Sequence, residues 1–274
     1  MEQEADDYIH TLHCGKTFSK CYSLYRPLYP DDVYQKIMGY HVGSGGGLEL
    51  AVDACCGSGQ SSIPLTEYFE KVVGVDTSLD QLTAAPTNVP RLTFYLSLAE
   101  EMSFLRPNSV DLVTIAAGLH WVNHNNFYKE VQRVLKPGGT LAAYCYDLET
   151  LDNKRADRYI QGLRRNEFSK YMTSRADIVF SKYRSIPFPF TDIKRYDHIP
   201  MSADLTIDEY IGYLSSFHYV KEYQRDNQDD DILSSVRERL TSILTDDTSS
   251  ECRVTVTWDL FLVLGRSKKK IALS

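Results

Sequence analysis

Two apolar runs that each end in an aspartate, with a glycine turn between them, constrain this chain more than any other feature. The first is Leu48-Glu-Leu-Ala-Val-Asp53, followed by Ala54-Cys-Cys-Gly57-Ser-Gly59; the second is Lys71-Val-Val-Gly-Val-Asp76. An apolar run of this kind reads as a strand buried on both faces, as a parallel sheet requires. Glycines 57 and 59 let the backbone turn tightly and come close to a ligand. A helix is expected from Ser61 to Phe69, its free N–H groups aimed back over the loop, with Pro64 tolerable only in its first turn. An acid about twenty residues beyond a glycine loop is where ribose hydroxyls are held. Asp76 also reads as a turn or helix-cap aspartate, because Thr77-Ser78 follow and helical residues resume at Leu79 to Ala85. Two acid-terminated strands around one loop favour the ribose.

The rhythm continues. Leu92 to Leu96 alternates as a third strand, Val110 to Ala117 is apolar enough to be central, and Thr140 to Tyr146 is a fifth. Between the last two lies a helix with Phe127, Val131, Val134 and Leu135 on its core face, stopped by Lys136-Pro-Gly-Gly139. Strands alternating with helices through short loops predict an α/β fold with a doubly wound, mostly parallel, seven-stranded sheet. Upstream, Phe18, Tyr22 and Tyr25 share a helical face, and Pro27 and Pro30 end that helix. Arg26, held there, either packs with the helix or reaches a ligand carboxylate. Asp31 or Asp32 caps a further helix through Tyr40, and Gly43 to Gly47 is a flexible connector. Beyond Tyr146 the expectations are a long polar helix over 152–172, a strand over 193–199 and a helix over 206–219. A last helix, capped by Asp229 to Asp231, presents Ile232, Val236, Leu240 and Ile243. A final strand over 253–264 returns to the sheet. The division predicted is 1–146 as a binding core with an N-terminal helical lid, 147–250 as an inserted substrate cover, and 251–274 as last strand and tail.

Composition excludes several classes. A net charge of −7 over 274 residues argues against a general nucleic-acid surface. The pairs and triplets Arg164-Arg165 and Lys268-Lys269-Lys270 read as solvated charge. The cysteines at 14, 21, 55, 56, 145 and 252 show no zinc spacing, and adjacent Cys55 and Cys56 are poorly placed for a disulfide. Reduced thiols in a cytoplasmic protein are expected, with no metal. The acidic start, Met1 to Asp7, has no apolar core of a secretory signal, and no run approaches a membrane span of about 20 residues. The first ten or so residues are expected to fray.

Taken in order, these motifs resemble those of a class I S-adenosylmethionine-dependent methyltransferase of the type 11 kind. Asp-Ala-Cys-Cys-Gly-Ser-Gly59 is similar to the family's first motif, Val-Val-Gly-Val-Asp76 to its second, Leu98-Ala99-Glu100 to its adenine-side turn, and Val-Leu-Lys-Pro-Gly-Gly139 to the turn before strand five. Tyr25-Arg26-Pro-Leu-Tyr-Pro30 together with Leu119-His120-Trp121 resembles the branch that includes trans-aconitate methyltransferases. The resemblance covers roughly residues 18 to 146 and the final strand. It implies S-adenosylmethionine as cofactor, with Asp53 and the Gly57/Gly59 backbone at its amino-acid portion and Asp76 on the ribose. It implies Ala99 and Glu100 beside the adenine, Ala117 and Gly118 beneath the sulfonium, and Arg26 with Tyr22 at the cofactor's carboxylate. Cys55 departs from the pattern, standing where the family has its first glycine, and its Cβ narrows the approach of the methionine portion.

The implied reaction adds a methyl to a small molecule, a carboxylic acid among the candidates, by in-line displacement. A carboxylate needs no base; an amine or phenol does, and His120 is the first candidate for one. His120 also reads as a strand-end histidine bonded to backbone. His120, Trp121 and Tyr219 are the candidate substrate contacts, with Phe217, His218 and Arg195 as further cover residues. No nucleic-acid or membrane partner is expected, and the chain reads as a monomer or homodimer. Two alternatives stand beside this reading: a nicotinamide-dependent oxidoreductase, through the loose Gly57-Ser-Gly59-Gln-Ser-Ser62 fingerprint, and a non-catalytic cofactor-binding regulator, through Cys55.

Overall fold

The computed structural model describes residues 15–245 and 252–268. The N-terminal stretch expected to fray, Cys14 and most of the lysine triplet lie outside the described residues, and so does the Phe18 side chain.

The two acid-ended runs are β1, Leu50–Ala54, and β2, Lys71–Asp76. With β3 (Leu92–Leu96), β4 (Val110–Ala116) and β5 (Leu135–Tyr146) they make a parallel block in the order β3-β2-β1-β4-β5. β1 and β4 are central because they carry no outward polar face: Ala51, Val52, Ala54, Leu112, Val113 and Ile115 are all fully buried. Their register is pinned at the far end by Asp111, whose Oδ2 accepts from Glu49 N at 3.1 Å and Leu50 N at 3.0 Å. Its other oxygen meets Lys136 Nζ at 2.9 Å. The sheet then turns antiparallel. β8 (Arg253–Arg266) pairs with β5, and β7 (Thr191–Thr206) pairs with β8 along the whole of its length; β6 is the two-residue pairing Thr150–Leu151. Among the described residues the sheet therefore has eight strands rather than seven.

Helix α1 is Lys16–Tyr25 and α2 is Asp31–Val42. Pro30, not an aspartate side chain, is the N-cap of α2. The segment after the glycine loop does not form the expected helix over 61–69: Pro64 confines it to a single 3-10 turn, Pro64–Glu67. α3, Leu79–Ala84, begins from a Ser78 cap, and α4, His124–Val134, from Asn123. Phe127 and Val131 of α4 are fully buried, each worth about 1.5–3 kcal/mol. Leu135, expected on that helix, starts β5 instead.

Helices α5 (Lys154–Leu163), α6 (Ala176–Phe180), α7 (Ile207–Ser215), α8 (His218–Asp226) and α9 (Ile232–Leu244) follow. The expected long helix over 152–172 stops at Leu163, where a π turn over Arg164–Phe168 carries Arg164 inward. Arg164 is buried and pairs with buried Glu149, which corrects its reading as solvated charge. Tyr210 OH donates to the same carboxylate at 2.8 Å and Tyr213 OH at 3.1 Å, while Trp258 Nε1 donates to Tyr213 OH at 2.8 Å. This hydrogen-bonded knot joins α5, α7 and β8, and a buried pair persists only when its remaining atoms are satisfied in this way. The expected helix over 206–219 is broken at Ser216-Phe217 into α7 and α8. Among the described residues no helix is long and apolar enough to cross a membrane.

Candidate active site

All five parallel strands end on the same side, where ligands of open α/β sheets collect. Two chambers open there. The first, about 790 Å³, is walled by the ends of β1, β2 and β4: Cys55, Gly57, Asp76, Ala99, Glu100 and Gly118 are among its lining. The second, about 770 Å³, lies between the end of β5 and the helices of the cover, with His120, Phe217, His218 and Tyr219 on its walls. Tyr22, Ala117 and Trp121 line both and form the joint between them.

The first chamber is built by strained strand ends. Cys55 and Ala117 leave β1 and β4 in the left-handed region, φ 55° and 48°, a conformation that costs an L-residue about 1–2 kcal/mol. Gly57 follows at φ 54° and donates its N–H to Asp76 Oδ2 at 2.8 Å; Ser78 N donates to Oδ1 at 2.8 Å. Asp76 thus fixes the loop and the next turn, as a turn aspartate does, while also lining the chamber. Gln81 is buried on the same wall, and its Oε1 has no partner among the described residues. A Cβ on Gly118 would lie 2.6 Å from the Cβ of Cys55, so the cysteine is accommodated only because residue 118 has no side chain.

Other expectations are placed differently. Asp53 does not face the chamber. It is fully buried, with Oδ2 accepting from Ser61 and Ser62 hydroxyls at 2.6 Å each and Oδ1 from Thr114 at 2.7 Å, so it clamps the loop from behind. Gly59 is absent from the lining too; it is small because the Phe94 ring lies 2.7 Å from where its Cβ would be. Arg26 lines the second chamber, not the first. Its Nη1 donates to Tyr146 OH at 3.3 Å, its Nη2 to Ser216 O at 3.1 Å, and the guanidinium lies 3.9 Å from the Phe217 ring centre. None of these partners is an acid. Arg195 is outside the site, donating to Lys182 O beyond the chamber wall.

His120 is buried, with Nδ1 3.3 Å from Tyr183 OH and its ring 4.8 Å from that of Trp121. Burial, aided by the charges of His218, Arg175, His124 and Arg26, lowers its pKa to about 3. His218 is lowered to about 4, by burial and then by Arg26 and Lys221. Both imidazoles are neutral at physiological pH. Arg175 Nη1 donates to the carbonyls of His120 and Trp121 at 3.0 and 2.8 Å, which holds that turn against the cover.

Sequence reading missed Thr77, Ser78, Gln81 and Ser97 in the first chamber, although Thr77 and Ser97 each adjoin a motif residue. In the second it missed Met172, Ala176, Val179 and Phe180. Their i, i+4, i+7, i+8 spacing was a helical signal available in the sequence. Among the described residues no His, Cys, Asp and Glu cluster could hold a metal ion.

Residues 52–143 match the model of the methyltransferase domain family. A Dictyostelium discoideum protein named as a methyltransferase is 28% identical over 255 residues, 92% of this chain and 94% of that one. A Saccharomyces cerevisiae protein named as an S-adenosylmethionine-dependent methyltransferase is 34% identical over 143 residues, 50% of this chain and 48% of its own. The solved structure of a type II methyltransferase from Anaeromyxobacter dehalogenans superposes with TM-score 0.74 at 29% identity, covering 89% of this chain and 99% of that one. Fold, chambers and likenesses together support a class I S-adenosylmethionine-dependent methyltransferase with a Rossmann-like fold. Its cofactor is S-adenosylmethionine, which displaces the nicotinamide reading. The first chamber fits that group: its acids and the unpartnered Gln81 Oε1 are acceptors for ribose hydroxyls and an ammonium.

Proposed function

We propose that the protein transfers the methyl of S-adenosylmethionine to the carboxylate oxygen of a small organic acid, forming its methyl ester. The observation that carries this reading is Arg26, a guanidinium on the wall of the second chamber with no acid partner among the described residues. A guanidinium stays charged in proteins, and a shielded charge without a counterion is costly, so an anion is its natural ligand. When bound, the cofactor supplies a methyl on a sulfonium and leaves as the neutral thioether. A carboxylate lone pair forms the new O–CH₃ bond and the C–S bonding pair stays on sulfur, so no proton moves. His120 is therefore not needed as a base, and with a pKa lowered to about 3 it is poorly suited to be one. Its role, with Trp121, is to orient the acid and exclude water at the joint.

In this reading Tyr22, Cys55, Gly57, Asp76, Ala99, Glu100, Ala117 and Gly118 hold the cofactor and Gln81 joins them. Asp53 and Gly59 shape the loop, and Arg26 passes to the acceptor. The cover of the earlier division becomes α5 to α9, with β7 counted in the sheet. Free thiols at 21, 55, 56, 145 and 252 suit a reducing compartment such as the cytoplasm.

The test is calorimetric titration with S-adenosylhomocysteine of wild type and Asp76→Ala, followed by thioether release with a panel of acids. Wild-type binding weakened on the order of 10²-fold in the variant is expected, from lost charge-assisted hydrogen bonds of about 1.5–3 kcal/mol each. Binding with no turnover on any acid would instead favour the regulatory reading, to which the narrowing by Cys55 lends its one observation.

A further inference from the structure

Resting on the carboxylate reading, we propose that the acceptor is a monocarboxylic acid with an apolar body of several carbons, held head inward at Arg26 and tail outward along α6. Among the described residues the lining of the second chamber has one cation to offer, Arg26. Among the charged residues near it, Arg164 is taken by Glu149, and Lys182 pairs with Asp259 at 2.6 Å. Arg175 is turned to the backbone of His120 and Trp121. The one acid of the lining, Asp147, opposes a second negative charge. Neutral His120 and His218 can donate hydrogen bonds but bring no charge.

Three tyrosine hydroxyls of the wall are already engaged in part. Tyr146 OH accepts from Arg26 at 3.3 Å, Tyr213 OH is held between Glu149 and Trp258, and Tyr219 OH accepts from Arg164 at 3.4 Å. Tyr146 and Tyr219 keep an O–H that can reach a carboxylate oxygen, but none of these hydroxyls brings a charge. Tyr22 and Thr173 apart, the rest of the wall is apolar or thiol, with Met172, Ala176, Val179, Phe180 and Phe217 among it. Phe180 is 44% exposed at the mouth, a large apolar side chain that a ligand's tail would cover. A tricarboxylate such as trans-aconitate would leave two carboxylates against this wall without cations, and burying an unpaired charge is strongly unfavourable. The finer resemblance to the trans-aconitate branch therefore does not extend to the acceptor.

Apolar tail binding is the same in ground and transition states, so it acts on KM rather than kcat. Each methylene buried is worth about fourfold. The experiment measures S-adenosylhomocysteine binding by calorimetry. Alongside it, initial rates are followed with butanoate, hexanoate, octanoate, trans-aconitate and citrate, on wild type and Phe180→Ser. The expected result is thioether binding, KM falling about fourfold per added methylene with kcat nearly constant, no turnover of either tricarboxylate, and a flatter chain-length series in the variant. Thioether binding with turnover of a tricarboxylate, or a series with no length dependence, overturns the apolar acceptor and leaves the carboxylate methyltransferase standing. Thioether binding with turnover of no acid overturns the acceptor and the carboxylate reading together. Absence of thioether binding overturns the cofactor assignment on which both depend.

Discussion

Replacing Arg26 by glutamine separates the two roles an N-terminal guanidinium could have here. Glutamine keeps a donor for Tyr146 OH or Ser216 O and removes only the charge and the stacking on Phe217. If Arg26 pairs with the acceptor's carboxylate, the loss is one charge-assisted hydrogen bond or ion pair in a partly shielded site. That is about 2 kcal/mol, or about 30-fold in KM for the acid. The chemical step should not suffer equally. Methyl transfer quenches the carboxylate's charge, so Arg26 grips the ground state more tightly than the transition state, and kcat should hold or rise. The Kd for S-adenosylhomocysteine should move less than about threefold, because Arg26 is not on the wall of the first chamber. The assay is steady-state thioether release with octanoate beside calorimetry with S-adenosylhomocysteine. A roughly 30-fold rise in the thioether's Kd with the acid's KM unchanged would refute the assignment and return Arg26 to the cofactor's carboxylate.

Two further predictions test the joint between the chambers. Gly118→Ala puts a methyl 2.6 Å from the Cβ of Cys55 and 2.9 Å from Ile115 Cγ1, which should cost about 1–3 kcal/mol in urea unfolding. Adding Cys55→Gly should recover part of it, and strictly additive effects would show that the two do not meet. Stability should also fall on acidification. His120 and His218 have folded pKa values of about 3 and 4, below the unfolded 6.5, so their neutral forms favour folding fully above pH 6.5. That advantage is lost as pH drops toward those values. Between pH 8 and pH 5 each contributes at most about 2 kcal/mol. Urea midpoints with His120→Gln/His218→Gln beside wild type check this; an equal pH slope in both would exclude these histidines as its source.

How legible the molecule was depended on whether one residue pattern dominated locally. The parallel block was legible because β1 and β4 are predominantly apolar, and because Gly57 and Asp76 sit where a turn and a strand end require them. β7 was seen only as 193–199, although it runs from 191 to 206. Its edge position leaves Lys194 and Asp204 facing water, and the irregularity between Tyr196 and Ile199 breaks the alternation that marks a strand. Arg164 could not be read as buried, because its partner Glu149 is distant in sequence and the π turn that brings them together has no sequence signature. Asp53 had the right residue type in the right motif. What local sequence could not reveal was that Thr114, from the neighbouring strand, and two loop serines would use both its oxygens.

Several of the costs in this structure gather at one place. Cys55 and Ala117 hold left-handed backbones, and among the described residues Gln81 Oε1 is buried without a partner and Arg26 has no counterion; all line the two chambers, and Ala117 belongs to both. Stable folds leave such terms unrelieved where a ligand relieves them. An O–H or N–H of S-adenosylhomocysteine for Gln81 Oε1 and a carboxylate for Arg26 would remove two of the four at once, and each ligand would bind the folded state alone. Their stabilisation should then be more than additive if closing one chamber orders Tyr22 and Trp121 for the other. It should be simply additive if the shared wall is already rigid. Melting temperatures with S-adenosylhomocysteine, with octanoate and with both together distinguish these. Synergy would make the joint a coupling element, so that the acid is gripped only once the cofactor is seated.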